Sequence, residues 1–120
     1  MPINFTIDEN SKTPPFEQIK QQVLDAVRSG SAQVDEKLPA IRPLATQLGL
    51  AVNTVARSYR ELEELGAVIT SGRSGTRISA HAVGPEIALR QHAHTFAHAA
   101  QGLGITLEDA LAAVKDAWNA

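Results

Sequence analysis

The chain has no cysteine. Disulfides and thiolate metal sites are thereby excluded, and a cytoplasmic setting is expected. Aromatic residues are scarce, 4% against 43% apolar residues in all, so any core must be built mostly from Leu, Ile, Val and Ala. No apolar run approaches the roughly 20 residues that span a bilayer. The opening Met1-Pro-Ile-Asn-Phe-Thr-Ile-Asp-Glu-Asn10 lacks both a basic segment and a long apolar run, so no signal peptide is expected. A phosphate-binding glycine loop ahead of a helix, a nucleophile–base pairing and a metal cluster are all missing, so neither an enzyme nor a cofactor is expected. His92, His94 and His98 do not change this. His94 and His98 lie one turn apart, but no carboxylate stands at matching spacing to complete a site, and structural or interfacial roles are expected for them.

Charge of one sign is also lacking, with a net charge of −2 over 120 residues. The distribution is uneven, however. Residues 37–79 hold six basic side chains against three acidic ones, and the remainder holds five against ten. A locally basic face can attract phosphate, because ordinary salt screens the acidic remainder beyond about 8–10 Å.

Residues 3–7 alternate Ile3, Phe5 and Ile7 with polar neighbours, as a short strand or an extended arm would. Pro14 and Pro15 open a helix in which Phe16, Ile19, Val23, Leu24 and Val27 recur at helical spacing, and Gly30 closes it. Residues 31–37 read as a polar loop. A second helix is predicted from Ile41, with Ile41, Leu44, Ala45 and Leu48 buried and Gly49 as its stop. The next helix is predicted to start near Asn53, a good N-terminal residue. Its inner stripe is Val55, Tyr59, Leu62 and Leu65 or Gly66; its outer stripe is Asn53, Arg57, Arg60, Glu61 and Glu64. Two β-prone runs then flank Ser71-Gly-Arg-Ser-Gly75 and predict a hairpin. Two helices joined by a tight turn, with a hairpin directly after them, make a winged helix–turn–helix, an arrangement that places its second helix in the major groove of DNA.

Several side chains suit that role. Asn53, Thr54 and Arg57 share one helix face. Asn can read adenine and Arg guanine in bidentate fashion, each worth about 1–3 kcal/mol of discrimination. Thr54 and Ser58 are short donors suited to phosphate near a helix start. Arg42 opens the preceding helix and is placed for a phosphate or a base edge; Arg73 sits at the hairpin tip. The competing reading of this face is a solvated helix surface, with Arg57 and Arg60 paired to Glu61 and Glu64.

The order of elements, with Leu38-Pro-Ala-Ile-Arg-Pro-Leu-Ala45, resembles the GntR family of bacterial transcription regulators. Thr13-Pro-Pro-Phe-Glu-Gln-Ile19 looks like the opening helix of that family and Val27-Arg-Ser-Gly30 like its end. Asn53-Thr-Val-Ala-Arg-Ser-Tyr-Arg-Glu-Leu-Glu63 is similar to the YtrA subfamily, whose members also carry a short helical tail. The resemblance covers about residues 13–79. It implies a dimeric, cytoplasmic repressor on an operator with two half-sites. DNA contacts would come from Arg42, from Asn53, Thr54 and Arg57 at the start of the recognition helix, and from Arg73, Ser74, Gly75 and Thr76 at the wing tip. The chain departs from the family pattern at Val52 and Ala56, where other branches often carry Arg, and at Pro43, where an acidic residue is usual.

Beyond Gly84 and Pro85 the tail reads as two helices. Leu89, Ala93, Phe96, Ala100 and Leu103 form one apolar seam; Leu107, Leu111, Val114 and Trp118 form another, after a Thr106-Leu-Glu-Asp109 start of capping-box type. A unit of about 35 residues is too small to fold unaided. The support is either the N-terminal domain or a second copy, and the second copy is favoured, since such seams suit helix–helix packing.

The expected architecture is mainly α with a small β-hairpin. A winged helix–turn–helix DNA-binding domain occupies 1–80, with the arm or strand at 3–7, and a helical dimerisation tail occupies 85–120. The recognition helix, about 53–65, would enter the major groove, and wing 71–76 would meet the adjacent minor groove or backbone. The partners are double-stranded operator DNA and a second copy of the chain, with no membrane and an effector left open. Two alternatives stand beside this reading: a protein-binding winged helix without DNA contacts, and the N-terminal fragment of a winged-helix/aminotransferase fusion.

Overall fold

The computed structural model describes residues 3–120; the side chains of Ser74 and Val83 also lie outside the described residues. The chain forms two compact units, one ending at Ile87 and the other Ala88–Ala120.

In the first unit, helix α1 (Pro15–Ser29) starts at the two prolines and ends at Gly30. Pro at the first helical position sacrifices no hydrogen bond, because the N–H it lacks would have had no partner. Ile19, Val23, Leu24, Ala26 and Val27 are buried. The N-terminal segment is an arm rather than a strand. Thr6 donates its N–H to Gln22 Oε1 at 3.0 Å and accepts from Gln22 Nε2 at 2.7 Å. Gln18 pairs in the same way with Asp8, at 2.9 and 3.0 Å. Two glutamine amides of α1 thus satisfy backbone groups that a neighbouring strand would otherwise serve, which leaves Phe5 buried in the core.

Helix α2 (Ile41–Leu48) and helix α3 (Val52–Leu65) form the helix–turn–helix. The turn depends on Gly49, at φ +68°, a left-handed conformation that costs a side-chain-bearing residue about 1–2 kcal/mol. Pro43 is the third residue of α2, where its missing N–H breaks no helical bond. Both helices pack with α1 around Leu44, Ala45, Val55, Leu62 and Leu65. Ile41 and Leu48, expected inside, are half-buried at the edge of this core.

Strands β1 (Val68–Thr70) and β2 (Thr76–Ile78) pair antiparallel, Val68 opposite Ile78, with a tight turn Gly72–Ser74 between them. Residues 35–37, expected to be loop, run with Leu38 along the other side of β2. Asp35 N–H donates to Ile78 O (2.9 Å), Ile78 N–H to Glu36 O (3.0 Å) and Leu38 N–H to Thr76 O (2.8 Å). Beyond the wing, Ala82 in the turn Ala80–Val83 and Ile87 at the start of α4 (Pro85–Gly102) still belong to the core.

In the second unit, α4 runs to Gly102 and α5 spans Leu107–Trp118. Thr106 Oγ1 accepts the N–H of Asp109 at 3.2 Å, as its capping pattern predicts. Between the two helices lies an apolar groove of about 480 Å³, with Ala93, Phe96, Leu107, Leu111 and Val114 on its walls. Leu103, Leu107 and Trp118 are each more than three-quarters exposed. Ala100 departs from the expected seam. It is buried within the unit, and its carbonyl accepts the N–H of Ile105 as the chain turns toward α5. It nonetheless lines the apolar groove beside Ala93 and Phe96.

Candidate nucleic-acid interface

The exposed side of α3 carries the residues that matter. Ala51, not Asn53, is the N-cap of α3, and it makes no side-chain cap bond. The extended stretch ends earlier than the pattern suggests, so Asn53 falls in the first helical turn. There it is exposed, and its amide has no partner among the described residues. Thr54 follows, half-buried, with its N–H donated to Ala51 O at 3.1 Å.

Arg57 is held in place from two sides. Its Nε donates to Glu61 Oε2 at 3.0 Å, one turn along the helix, and its guanidinium carbon lies 3.7 Å from the ring centroid of Phe16. The pairing with Glu61 expected for a solvated helix face is therefore present. It occupies only one of five N–H donors, however, and leaves the four on the two Nη nitrogens. Stacking on the ring adds about 0.5–1 kcal/mol at such an exposed site and restricts the side chain to one orientation. Glu61 in turn accepts from Lys20 Nζ at 3.1 Å, and Lys20 pairs with Glu17 at 2.9 Å. Partial burial of Glu61 disfavours its charge, but the hydrogen bonds from Arg57 and Lys20 outweigh this and hold the carboxyl below its ordinary range. Arg60 is exposed, with no acidic partner among the described residues.

Ser58 is a correction. Expected as a phosphate donor, it is fully buried, and its Oγ donates to the carbonyl of Phe16 at 2.5 Å. The spacing that turns Val55, Tyr59 and Leu62 inward includes position 58, and a short hydroxyl there can join α3 to the first turn of α1. Removing it as Ser58→Ala deletes a buried hydrogen bond between α3 and α1, at about 0.5–1.5 kcal/mol. The melting temperature is expected to fall by several degrees, while DNA affinity per folded molecule stays within about twofold. Calorimetry and a binding titration check this; lost affinity at unchanged stability would return Ser58 to the interface.

The remaining candidates flank α3. Arg42, second residue of α2, is exposed. Arg73 projects from the wing turn; Gly75 and Thr76 lead back into β2, and the Ser74 side chain lies outside the described residues. Arg77 acts as a brace, donating from Nη1 to Asp35 O at 2.9 Å. Tyr59 is buried with its hydroxyl on Pro39 O at 2.6 Å, and burial pushes its ionisation well up. One cation that the sequence pattern did not single out also reaches this face. Lys37 lies against the wing, and with Arg42, Arg73 and Thr76 it borders a hollow of about 480 Å³. Its position follows from the pairing of residues 35–38 with β2, which no local pattern announces. Among the described residues, no group of three or more potential metal ligands comes together, and no helix is long and apolar enough to cross a membrane.

A helix–turn–helix with a polar, cationic outer face, followed by a basic β-wing, defines the winged-helix class of DNA-binding transcription regulators. The profile of "Bacterial regulatory proteins, gntR family" matches residues 15–78, so the chain belongs to the GntR family. It is 43% identical over 105 residues to the HTH-type transcriptional regulator Rv1152 of Mycobacterium tuberculosis, covering 88% of this chain and 86% of that protein. It is 42% identical over 76 residues to the HTH-type transcriptional repressor YtrA of Bacillus subtilis, covering 63% and 58% of the two chains. The solved structure of YtrA from Sulfolobus acidocaldarius, a GntR-family transcription factor, superposes with a TM-score of 0.61 at 29% identity, over 75% of this chain and 93% of that one.

Proposed function

We propose that this regulator is a cytoplasmic homodimeric repressor that occupies an operator with two half-sites. The unit containing α1–α3 and the wing binds DNA, and the α4–α5 tail holds two copies together. In each half-site α3 enters the major groove. Asn53 and Arg57 read base edges there, while Thr54, Arg42 and the wing tip at Arg73, Gly75 and Thr76 fix the register on phosphates and in the adjacent minor groove.

The observation that carries the reading is the state of Arg57. A guanidinium stacked on Phe16 and held through Nε keeps its Nη pair directed without further loss of side-chain freedom on binding. The tail supports the dimer. Leu89, Ala93, Phe96, Leu103, Leu107, Leu111, Val114 and Trp118 are all exposed, more apolar surface than two helices of this length leave to water. A second copy of the same hairpin offers matching seams. Repression is the activity named for the similar Bacillus subtilis YtrA, and it requires no further domain: a dimer bound across a promoter excludes polymerase.

Selection of duplexes from a random-sequence library, followed by titration across salt, tests this. A two-fold symmetric site is expected to be enriched. With about 6–10 phosphate contacts, its affinity is expected to fall roughly 10³–10⁵-fold between about 50 and 200 mM salt. Failure to enrich any sequence, or affinity indifferent to salt, would overturn the proposal.

A further inference from the structure

We infer that Lys37, together with Arg42 and Arg73, forms a clamp for one phosphodiester of the DNA backbone at the junction of α2 and the wing. This rests on the DNA-binding reading above and adds to it a contact residue and a ligand group.

Three observations converge on the same place. The backbone at Lys37 is tied to the wing through its bridge to Arg77 and the Leu38 N–H to Thr76 O bond, so the side chain springs from a fixed point. That side chain then crosses Gly75. A Cβ on Gly75 would stand 2.9 Å from Lys37 Cε and 3.7 Å from Nζ, so the glycine leaves the channel in which the lysine stem lies. The ammonium, Arg42 and Arg73 border one hollow of about 480 Å³, floored by Pro39, Ala40 and Tyr59.

The three cations are also uncompensated where they meet. Lys20, Arg28 and Arg57 each have a carboxylate partner, whereas Lys37, Arg42 and Arg73 have none among the described residues. Like charges around one hollow repel, and a single anion in it relieves all three pairwise repulsions at once. All three are exposed, so a free anion gains little from them in water. A duplex phosphate is different: its neighbours are placed by α3 and the wing, and its neutralisation releases condensed counterions. Lys37 therefore strengthens binding without reading sequence.

The test compares Lys37→Gln with the wild-type protein on the duplex that the wild type enriches and on a scrambled duplex. The slope of log affinity against log salt is expected to become shallower by about two, one phosphate per half-site in a dimer. Affinity at physiological salt is expected to fall about tenfold, with the preference for the enriched over the scrambled duplex unchanged. Lys37→Arg, which keeps the charge, retains the steep slope. A methylphosphonate scan of the enriched duplex should reveal one position per half-site where loss of the phosphate charge weakens the wild type more than it weakens Lys37→Gln, in which only Arg42 and Arg73 still face that phosphate. An unchanged slope in Lys37→Gln beside a steep wild-type slope overturns the clamp and leaves the regulator reading standing. Competition by added inorganic phosphate at constant ionic strength, abolished in Lys37→Gln, overturns it in favour of a free-phosphate site. A wild type that enriches no duplex overturns the regulator reading itself, and the clamp with it.

Discussion

Arg57→Ala is expected to abolish operator binding while leaving the fold and the dimer intact. Each guanidinium that reads a base contributes about 1–3 kcal/mol of discrimination, and a two-half-site complex loses two of them. The loss is compounded, because Glu61 then has only Lys20 to neutralise it and faces the phosphates less well compensated. The combined effect is expected to exceed about 100-fold in affinity for the enriched duplex. The fold depends little on this side chain: it is half exposed, and an i,i+4 pair of this kind contributes about 0.3–0.5 kcal/mol. Arg42→Ala is expected to produce a comparable loss of affinity by another route, with a shallower salt dependence and sequence preference retained. Binding titrations with thermal melts in parallel separate the two. Wild-type affinity in both variants would remove these residues from the interface.

Leu111→Glu is expected to split the protein into monomers. Leu111 is 60% exposed in the single chain, so a carboxylate there is tolerated by the hairpin itself. In a symmetric interface it would be buried twice and unpaired, at a cost of several kcal/mol per copy. Sedimentation of the wild type should give twice 12.8 kDa, and of the variant 12.8 kDa, with helix content unchanged. Operator affinity should fall about 10²–10⁴-fold, because the second half-site is no longer held at high effective concentration by the first. A wild-type monomer, or a variant that remains dimeric with full affinity, would refute the assignment of the tail.

Much of the fold is legible in the chain because its punctuation is local. Gly30, Gly49 and Gly66 stop three helices, each in the left-handed conformation, and Thr106 caps α5 as its spacing predicts. The wing is legible from two β-prone runs around glycines. What escapes local reading depends on contacts far apart in sequence. Ser58 finds its acceptor on Phe16, 42 residues earlier, and a short hydroxyl on α3 reads equally well as a phosphate donor. Residues 35–37 are polar, and only the edge of β2 makes them, with Leu38, a paired segment. Lys37 is brought beside the wing through that pairing. The cation–π contact of Arg57 has the same character, since Phe16 looks like an ordinary member of the apolar stripe of α1. Asn53 lies one residue inside the start of α3, because a polar residue in the first turn carries the same local signal as one that caps.

Val52 and Ala56 limit what can be carried from relatives to this chain. They are exposed or half-exposed at the head of the recognition helix, where other branches of the family often present Arg. Short apolar side chains there favour thymine methyl groups over guanine acceptors. The half-site is therefore expected to be poorer in guanine than those read by the arginine-bearing branches, with Asn53 and Arg57 as the polar readers.

Hydroxyl-radical footprinting on the enriched duplex tests the central claim most directly. Two protected backbone segments are expected, related by two-fold symmetry and spaced by about one helical turn or a multiple of it, with protection extending into the minor groove where the wing lies. Protection of a single half-site, or none at concentrations that saturate the titration, would contradict a dimer reading DNA through α3.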